Sequence, residues 1–271
     1  MKQRTSVGTA GKDAKANTPP SDLEYLARLR TEHVPKSVRE RLAGNRNHNY
    51  LGDAVLGAID GCVTTFAVVA GAVGAGFSGI VIIVLGFANL IADGFSMAVS
   101  NYLSSKSQRD QVEKARRAEQ HHIAVVPEGE REEIRQIFER KGFSGDVLEK
   151  IVAVITSDRR LWVDTMLTEE LGLQIEGRQP VRAALATFTA FVVVGLIPLL
   201  SFVIPGLHPT QRFLWSAVLT ALAFTSVGIV KGIALEHPKW RSGLETLLTG
   251  GGAALLAYIV GLWLRQAYGI N

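Results

Sequence analysis

The chain has 271 residues, 47% of them hydrophobic, with a formal net charge of +4 and a single cysteine. One cysteine excludes a disulfide framework and a thiolate zinc site. The basic excess lies beside apolar stretches and gives no argument for nucleic acid. Charges crowd into residues 1–50 and 104–182 and are nearly absent from three further stretches. That is the pattern of a multi-pass membrane protein carrying a polar insertion.

Residues 1–20 are rich in Lys, Thr, Gly, Ala and Pro and end in Pro19-Pro20. They read as a disordered tail without the apolar core of a signal peptide. Ser21 and Glu24 fit a capping box, and Leu23, Leu26 and Leu29 then recur at helical spacing, so a short amphipathic helix is expected. It either lies on the membrane surface or packs on the rest of the protein. Arg39, Arg41 and Arg46 precede the first apolar segment.

Two apolar segments, Ala54–Ala75 and Ile80–Leu103, flank a glycine-rich turn at residues 74–79. Each is long enough to cross a bilayer as a helix, which takes roughly 20 residues. The first carries Asp60. The second carries Asn89, Asp93 and Met97, four residues apart, so a helix presents all three on one face. Carboxylates are costly in hydrocarbon, and an intramembrane acid is a functional candidate. The alternative is that these acids sit near helix ends and reach the headgroups.

Residues 104–182 predict four helices. The first runs from Lys106 to His122, continuous with the second apolar segment. The second starts at Pro127 with acids in its first turn and ends before Gly142. A third covers Ser144–Ser157, and a fourth runs from Asp158 to Leu171 and stops at Gly172. Three more membrane segments follow, at Ala183–Ile204, Phe213–Val230 and Leu244–Leu264. Gly57/Gly61 and Gly228/Gly232 are GxxxG pairs that allow close helix packing. Basic residues favour the N-terminal flank, the insertion and the 236–243 turn, whereas the turns 74–79 and 205–212 hold only Arg212. The positive-inside rule then sets five spans with the N-terminus and insertion in the cytosol. The expected fold is an all-α integral membrane protein. Its parts are a tail (1–45), transmembrane helices 1–2 (46–103), an inserted helical domain (104–180) and transmembrane helices 3–5 (181–271).

Three pairs in the insertion share helix faces by spacing: Glu119 with His122, Glu130 with Glu133, and Met166 with Glu170. Converging, they would form a cage of carboxylates, an imidazole and a thioether, a ligand set suited to a divalent first-row metal rather than calcium. Glutamates are also good helix formers on solvated faces, and Met166 beside Trp162 also fits an ordinary core. Adjacent His121 and His122 point to different faces, so only one can join a given site.

The blocks Leu51-Gly52-Asp53-Ala54-Val55-Leu56-Gly57-Ala58-Ile59-Asp60-Gly61, Ala92-Asp93-Gly94-Phe95-Ser96-Met97 with Asn101-Tyr102-Leu103-Ser104, Trp162-Val163-Asp164-Thr165-Met166 with Glu169-Glu170-Leu171-Gly172, and Trp240-Arg241-Ser242-Gly243 occur in order. Through them, about residues 45–265 resemble the vacuolar iron transporter family. The resemblance implies five membrane helices, a cytosolic helical metal-binding domain between helices 2 and 3, and a homodimer exchanging metal for protons. The family's pathway acid falls on Asp60 and its pathway methionine on Met97. A further family acid falls on Asn89, and Asp93 one turn on is a possible substitute. The family's metal ligands fall on Glu119, Glu130, Glu133, Met166 and Glu170, and a sixth, usually glutamate, falls on His122.

The expected function is divalent-metal transport, Fe2+ and by extension Mn2+, by metal/proton antiport out of the cytosol. No cofactor is permanently bound, the metal being substrate, and no enzyme activity is expected. Expected partners are metal ions, protons, the lipid bilayer and a second copy of the chain. The host membrane is a cell inner or plasma membrane, or a vacuolar one. The competing reading is a membrane-anchored metal sensor or buffer, in which the spans only tether the cage.

Overall fold

A computed structural model describes residues 22–43, 49–234 and 238–269, and every regular element among them is a helix. The expected tail (1–20), Ser21 of the capping box and Arg46 lie outside the described residues. The chain divides into two compact units at residue 48. In the first, α1 (Asp22–Glu32) and α2 (Pro35–Ala43) are short helices, and Tyr25 and Leu26 are exposed. Proline opens α2 at a position where its missing N–H is not needed.

The second unit holds five helical segments long and apolar enough to span a membrane. The first, α3 (Leu51–Gly74), is the one around which the others gather. It packs on α4 (Gly79–Val125), α8 (Pro180–Gly195), α10 (Pro209–Ala234) and α11 (Lys239–Tyr268). Glycine makes this possible. A Cβ on Gly57 or Gly61 would strike the backbone carbonyl oxygen of Thr187 or of Phe191 on α8. One on Gly195 would meet the carbonyl of Gly61 at 2.8 Å. The two helices therefore touch backbone to backbone, as small residues permit in a membrane, where dispersion rather than water drives packing. The second GxxxG pair works similarly, with Gly228 against Ser242 and Gly243 of α11. Phe66, Val69, Ala70, Ile82, Leu199, Phe202 and Ala254 fill the centre.

Helix α4 has 47 residues, so it is about 70 Å long. The hydrocarbon core is only about 30 Å thick, so the helix runs well past it. Its first half shows apolar Ile80, Val84, Ile91 and Phe95 to the outside, whereas its second half is charged. The third span departs from a single helix. Pro198 interrupts it, a one-turn 3-10 segment (Ile197–Leu199) follows α8, and α9 (Leu200–Val203) completes the crossing. Proline cannot donate the helical hydrogen bond and its ring crowds the preceding turn. The Pro198 carbonyl accepts instead from Ser216 Oγ on α10, at 2.7 Å.

Between the second and third spans, α5 (Pro127–Arg140), α6 (Gly145–Ser157) and α7 (Arg159–Thr165) fold against the far end of α4. They share a core of Ile123, Ile134, Ile137, Leu148, Val152, Ile155, Trp162, Val163, Met166 and Leu167. Asp158 caps α7 by accepting from the N–H groups of Arg160 and Leu161. Arg135 of α5 clasps both carboxylate oxygens of Glu149 on α6 and also binds Glu132, while Arg116 of α4 reaches Asp164 of α7 at 2.7 Å. After α7 the chain widens into a π-turn at Met166–Glu170, in which the Leu171 N–H bonds to the Met166 carbonyl five residues back. Gly172, at φ +63°, ends it in the left-handed conformation.

The backbone contact between α3 and α8 predicts opposite outcomes at neighbouring glycines. Gly61→Leu is expected to abolish monodisperse expression in detergent. Gly52→Ala, where an added Cβ meets nothing within 4 Å, is expected to leave the elution profile unchanged.

Candidate functional site: two groups of carboxylates

Among the described residues, one group of potential metal ligands stands out: Glu119, His122 and Glu130. Each offers an atom within 4.8 Å of the others. Glu119 and His122 come from the last turns of α4, and Glu130 from the first turn of α5. The short break at Val126 and the proline start of α5 fold the chain back on itself, which brings residues eleven apart in sequence together. His122 Nδ1 lies 3.5 Å from Glu130 Oε1 and 3.9 Å from Glu119 Oε1. Both glutamates are buried, at 4% and 5% exposure, while half of the imidazole faces outward. One oxygen of each carboxylate, Glu119 Oε2 and Glu130 Oε2, is buried without a hydrogen-bond partner. Unsatisfied buried carboxylate oxygens are expensive, and a cation is the ligand that would satisfy them.

Electrostatics extends the group. Burial pushes the Glu130 carboxyl up to about 7, and the negative charges of Glu133, Glu119 and Glu170 add to the shift while His122 opposes it. Burial also raises Glu170, with Glu133 and Glu119 reinforcing. Five of the six cage residues, Glu119, His122, Glu130, Glu133 and Glu170, therefore feel one another. Glu133 and Glu170 stand on the exposed side. Met166 is fully buried among the apolar residues of the shared core. The structure brings the acids and His122 into one field and buries Met166 in the adjoining core. His121 is exposed and is not part of the group.

The second group lies in the spans. Asp60 of α3 and Asp93 of α4 are both half-buried and lie within Coulombic range of each other. Neither has a cationic partner among the described residues. Met97 is one turn beyond Asp93 and half-buried, and Asn89 one turn before it. The Asn89 Nδ2 is buried with no hydrogen-bond acceptor.

A third arrangement had no role assigned from the sequence. Asp53, seven residues before Asp60 on α3, is 4% exposed. Its Oδ1 accepts from Asn101 Nδ2 at 3.0 Å and from Arg178 at 3.2 Å. Asn101 also lies 2.7 Å from Thr187 Oγ1. The available signal was spacing: Asn101 continues the four-residue series of Asn89, Asp93 and Met97.

Residues 51–262 match the family model described as the VIT family. The chain belongs to the VIT family. Curated relatives agree along most of its length. A Toxoplasma gondii protein named "Vacuolar iron transporter" is 30% identical over 269 residues, covering 96% of this chain and 87% of its own. An Arabidopsis thaliana protein named "Vacuolar iron transporter 1" is 33% identical over 209 residues, covering 76% and 82%. A Plasmodium falciparum "Vacuolar iron transporter" is 28% identical over 233 residues, covering 81% and 85%. In this VIT-family chain, all three groups of polar residues fall inside the matched region.

The Glu130 shift predicts a pH dependence. The folded state holds this proton more tightly than the unfolded chain does, so the group's stabilising contribution is complete below the ordinary glutamate value of 4.5 and is lost as pH rises through about 7. Metal-free protein is therefore expected to melt lower at pH 8 than at pH 5.5. Glu130→Gln should raise the pH 8 melting temperature in EDTA and remove most of the stabilisation that Mn2+ gives the wild type. A lower EDTA melting temperature for the variant would refute the electrostatic account.

Proposed function

We propose that this chain transports divalent metal, Fe2+ with Mn2+ as a related substrate, across its membrane in exchange for protons and out of the cytosol. The observation that carries the reading is the Asp60–Asp93 pair. Two carboxylates within Coulombic range inside spanning helices, with no cationic partner among the described residues, create a demand for positive charge. A metal ion or a proton meets it, and because both seek the same oxygens they compete. A proton gradient can then drive metal through the competition. Met97 adds a soft sulfur ligand to hard oxygens, which suits a first-row transition metal over magnesium or calcium. The Asn89 amide keeps an oxygen ligand where the family resemblance implies an acid, and contributes no charge.

The Glu119–His122–Glu130 group, with Glu133 and Glu170 beside it, is then the station that gathers metal before it enters the membrane. Basic residues flank this insertion, so the positive-inside rule orients it and the N-terminal side towards the cytosol. The working unit we infer is a homodimer. Support comes from Asp60, Asp93 and Met97, which are half-exposed on the single chain and leave room for a second copy to close the path. The sensor or buffer reading draws on the same acid cluster but gives no reason for unpaired carboxylates in the spans.

Transport in proteoliposomes decides between them. Under an imposed pH gradient, Fe2+ flux is expected to fall by about two orders of magnitude with Asp60→Ala, as loss of a group acting in the transport step would produce. Glu119→Gln with Glu130→Gln should lower flux at low metal concentration while leaving it measurable at saturation. Normal Fe2+ movement by Asp60→Ala, or no flux in the wild type, would overturn the transport reading.

A further inference from the structure

The Asp53 arrangement lies outside both metal-linked groups and is better bonded than either. Its side chain is a buried carboxylate, 4% exposed, near the start of the first span. Three partners from three different parts of the chain converge on this residue, two on its carboxylate and one on its backbone oxygen. Asn101 comes from α4, Arg178 from the segment returning out of α7, and Thr187 from α8. The Asn101 amide is shared further, with Thr187 Oγ1 at 2.7 Å and the Ala183 carbonyl at 3.3 Å. Thr187 Oγ also lies 3.3 Å from the Asp53 backbone oxygen. Asp53 Oδ2, by contrast, is buried and unpartnered.

The position of this knot matters because α3 and α4 are joined by a tight turn and run antiparallel. Going down α3 from Asp53, Asp60 comes two turns later, about 10 Å along the axis. Going back along α4 from Asn101, Met97 comes after one turn and Asp93 after two. The Asp53–Asn101 bond at one level and the Asp60–Asp93 approach two turns deeper are thus the same helix register read twice. A slide or rotation of α4 that broke the first would carry Asp93 and Met97 away from Asp60. Arg178 adds a counter-charge that can be withdrawn. Its side chain is 52% exposed, against 5% for Asp53, and it sits where the chain re-enters α8.

We propose that Asp53 is a positioning residue of the transport path: through Asn101 it holds α4 in the register that keeps Asp93 and Met97 opposite Asp60, with Arg178 as its neutralising partner. Without Arg178 the buried carboxylate is left uncompensated, which weakens the register rather than the metal ligands. The inference rests on the transport reading above, and the experiment separates the two.

The test is Fe2+ flux of the full chain in proteoliposomes, with metal affinity of the purified protein measured in parallel. Asp53→Ala and Asn101→Ala are expected to lower maximal flux about tenfold or more while KM stays within about twofold, since a positioning contact acts on the transport step rather than on uptake. Metal affinity at the Glu119–His122–Glu130 group should be unchanged. Arg178→Gln should lower maximal flux several-fold, Arg178→Lys should restore it, and Arg178→Gln should cost nothing further once Asp53→Asn is present, because no buried charge then needs neutralising. Should Asp53→Ala fail to fold, the Asp53→Asn and Arg178→Gln cycle decides alone. Additive losses in that cycle, or wild-type flux in Asp53→Ala and Asn101→Ala while Asp60→Ala is inactive, would overturn the positioning role. Wild-type flux in Asp60→Ala would instead sink the transport reading on which it rests.

Discussion

Everything in the membrane half of this protein depends on how closely α3 and α8 approach. Gly57 and Gly61 on one helix and Gly195 on the other remove the side chains that would hold the backbones apart. In hydrocarbon there is no water to expel, so cohesion between helices comes from dispersion contact and from polar bonds. A backbone-to-backbone seam maximises the first. It also builds the second, because Thr187 on α8 is one of the residues against which Gly57 packs and is at the same time a partner of Asn101 and Asp53. Small residues and polar network are two parts of one seam. It explains why α3 can carry two aspartates and remain the helix on which the other spans pack.

The two groups of carboxylates share a physical logic but differ in setting. Outside the spans, Glu119 and Glu130 are buried against an apolar core by the sharp reversal at Val126, each with one oxygen near His122 and the other buried and unpartnered. Burial, with repulsion from neighbouring glutamates, raises the Glu130 carboxyl to about 7. Inside the spans, Asp60 and Asp93 are less buried, lie within Coulombic range of each other and have no cationic partner among the described residues. A like-charged pair without a cation is unfavourable until one arrives. The ion-pair clasps of Arg116 and Arg135 fix the outer helices to α4 and to one another. One continuous helix, α4, carries residues of both groups.

The four-residue series on α4 shows how far sequence reasoning reaches. Asn89, Asp93 and Met97 can be set on one face by arithmetic, and the helices of the insertion by proline starts, glycine stops and apolar spacing. Glu119 with His122 follows from the same arithmetic. Met166 marks a limit: its spacing from Glu170 places it on the cage face, but the π-turn at Met166–Glu170 and its burial in the shared core are not legible from spacing. Asp53 marks the opposite limit, a residue inside a quoted motif whose role emerges only from partners 48 and 125 positions away.

Composition and period thus determined by themselves that five helices are long and apolar enough to cross a membrane, that a charged helical segment interrupts them, and which acids lie on which helix face, because these depend on neighbours within a few turns. Tertiary structure alone decided which faces meet. It joined α4 to α5 at the Glu119–His122–Glu130 group, α3 to α8 along the glycine seam, and α3, α4 and Arg178 at Asp53, because such meetings depend on distances between segments that no local spacing encodes.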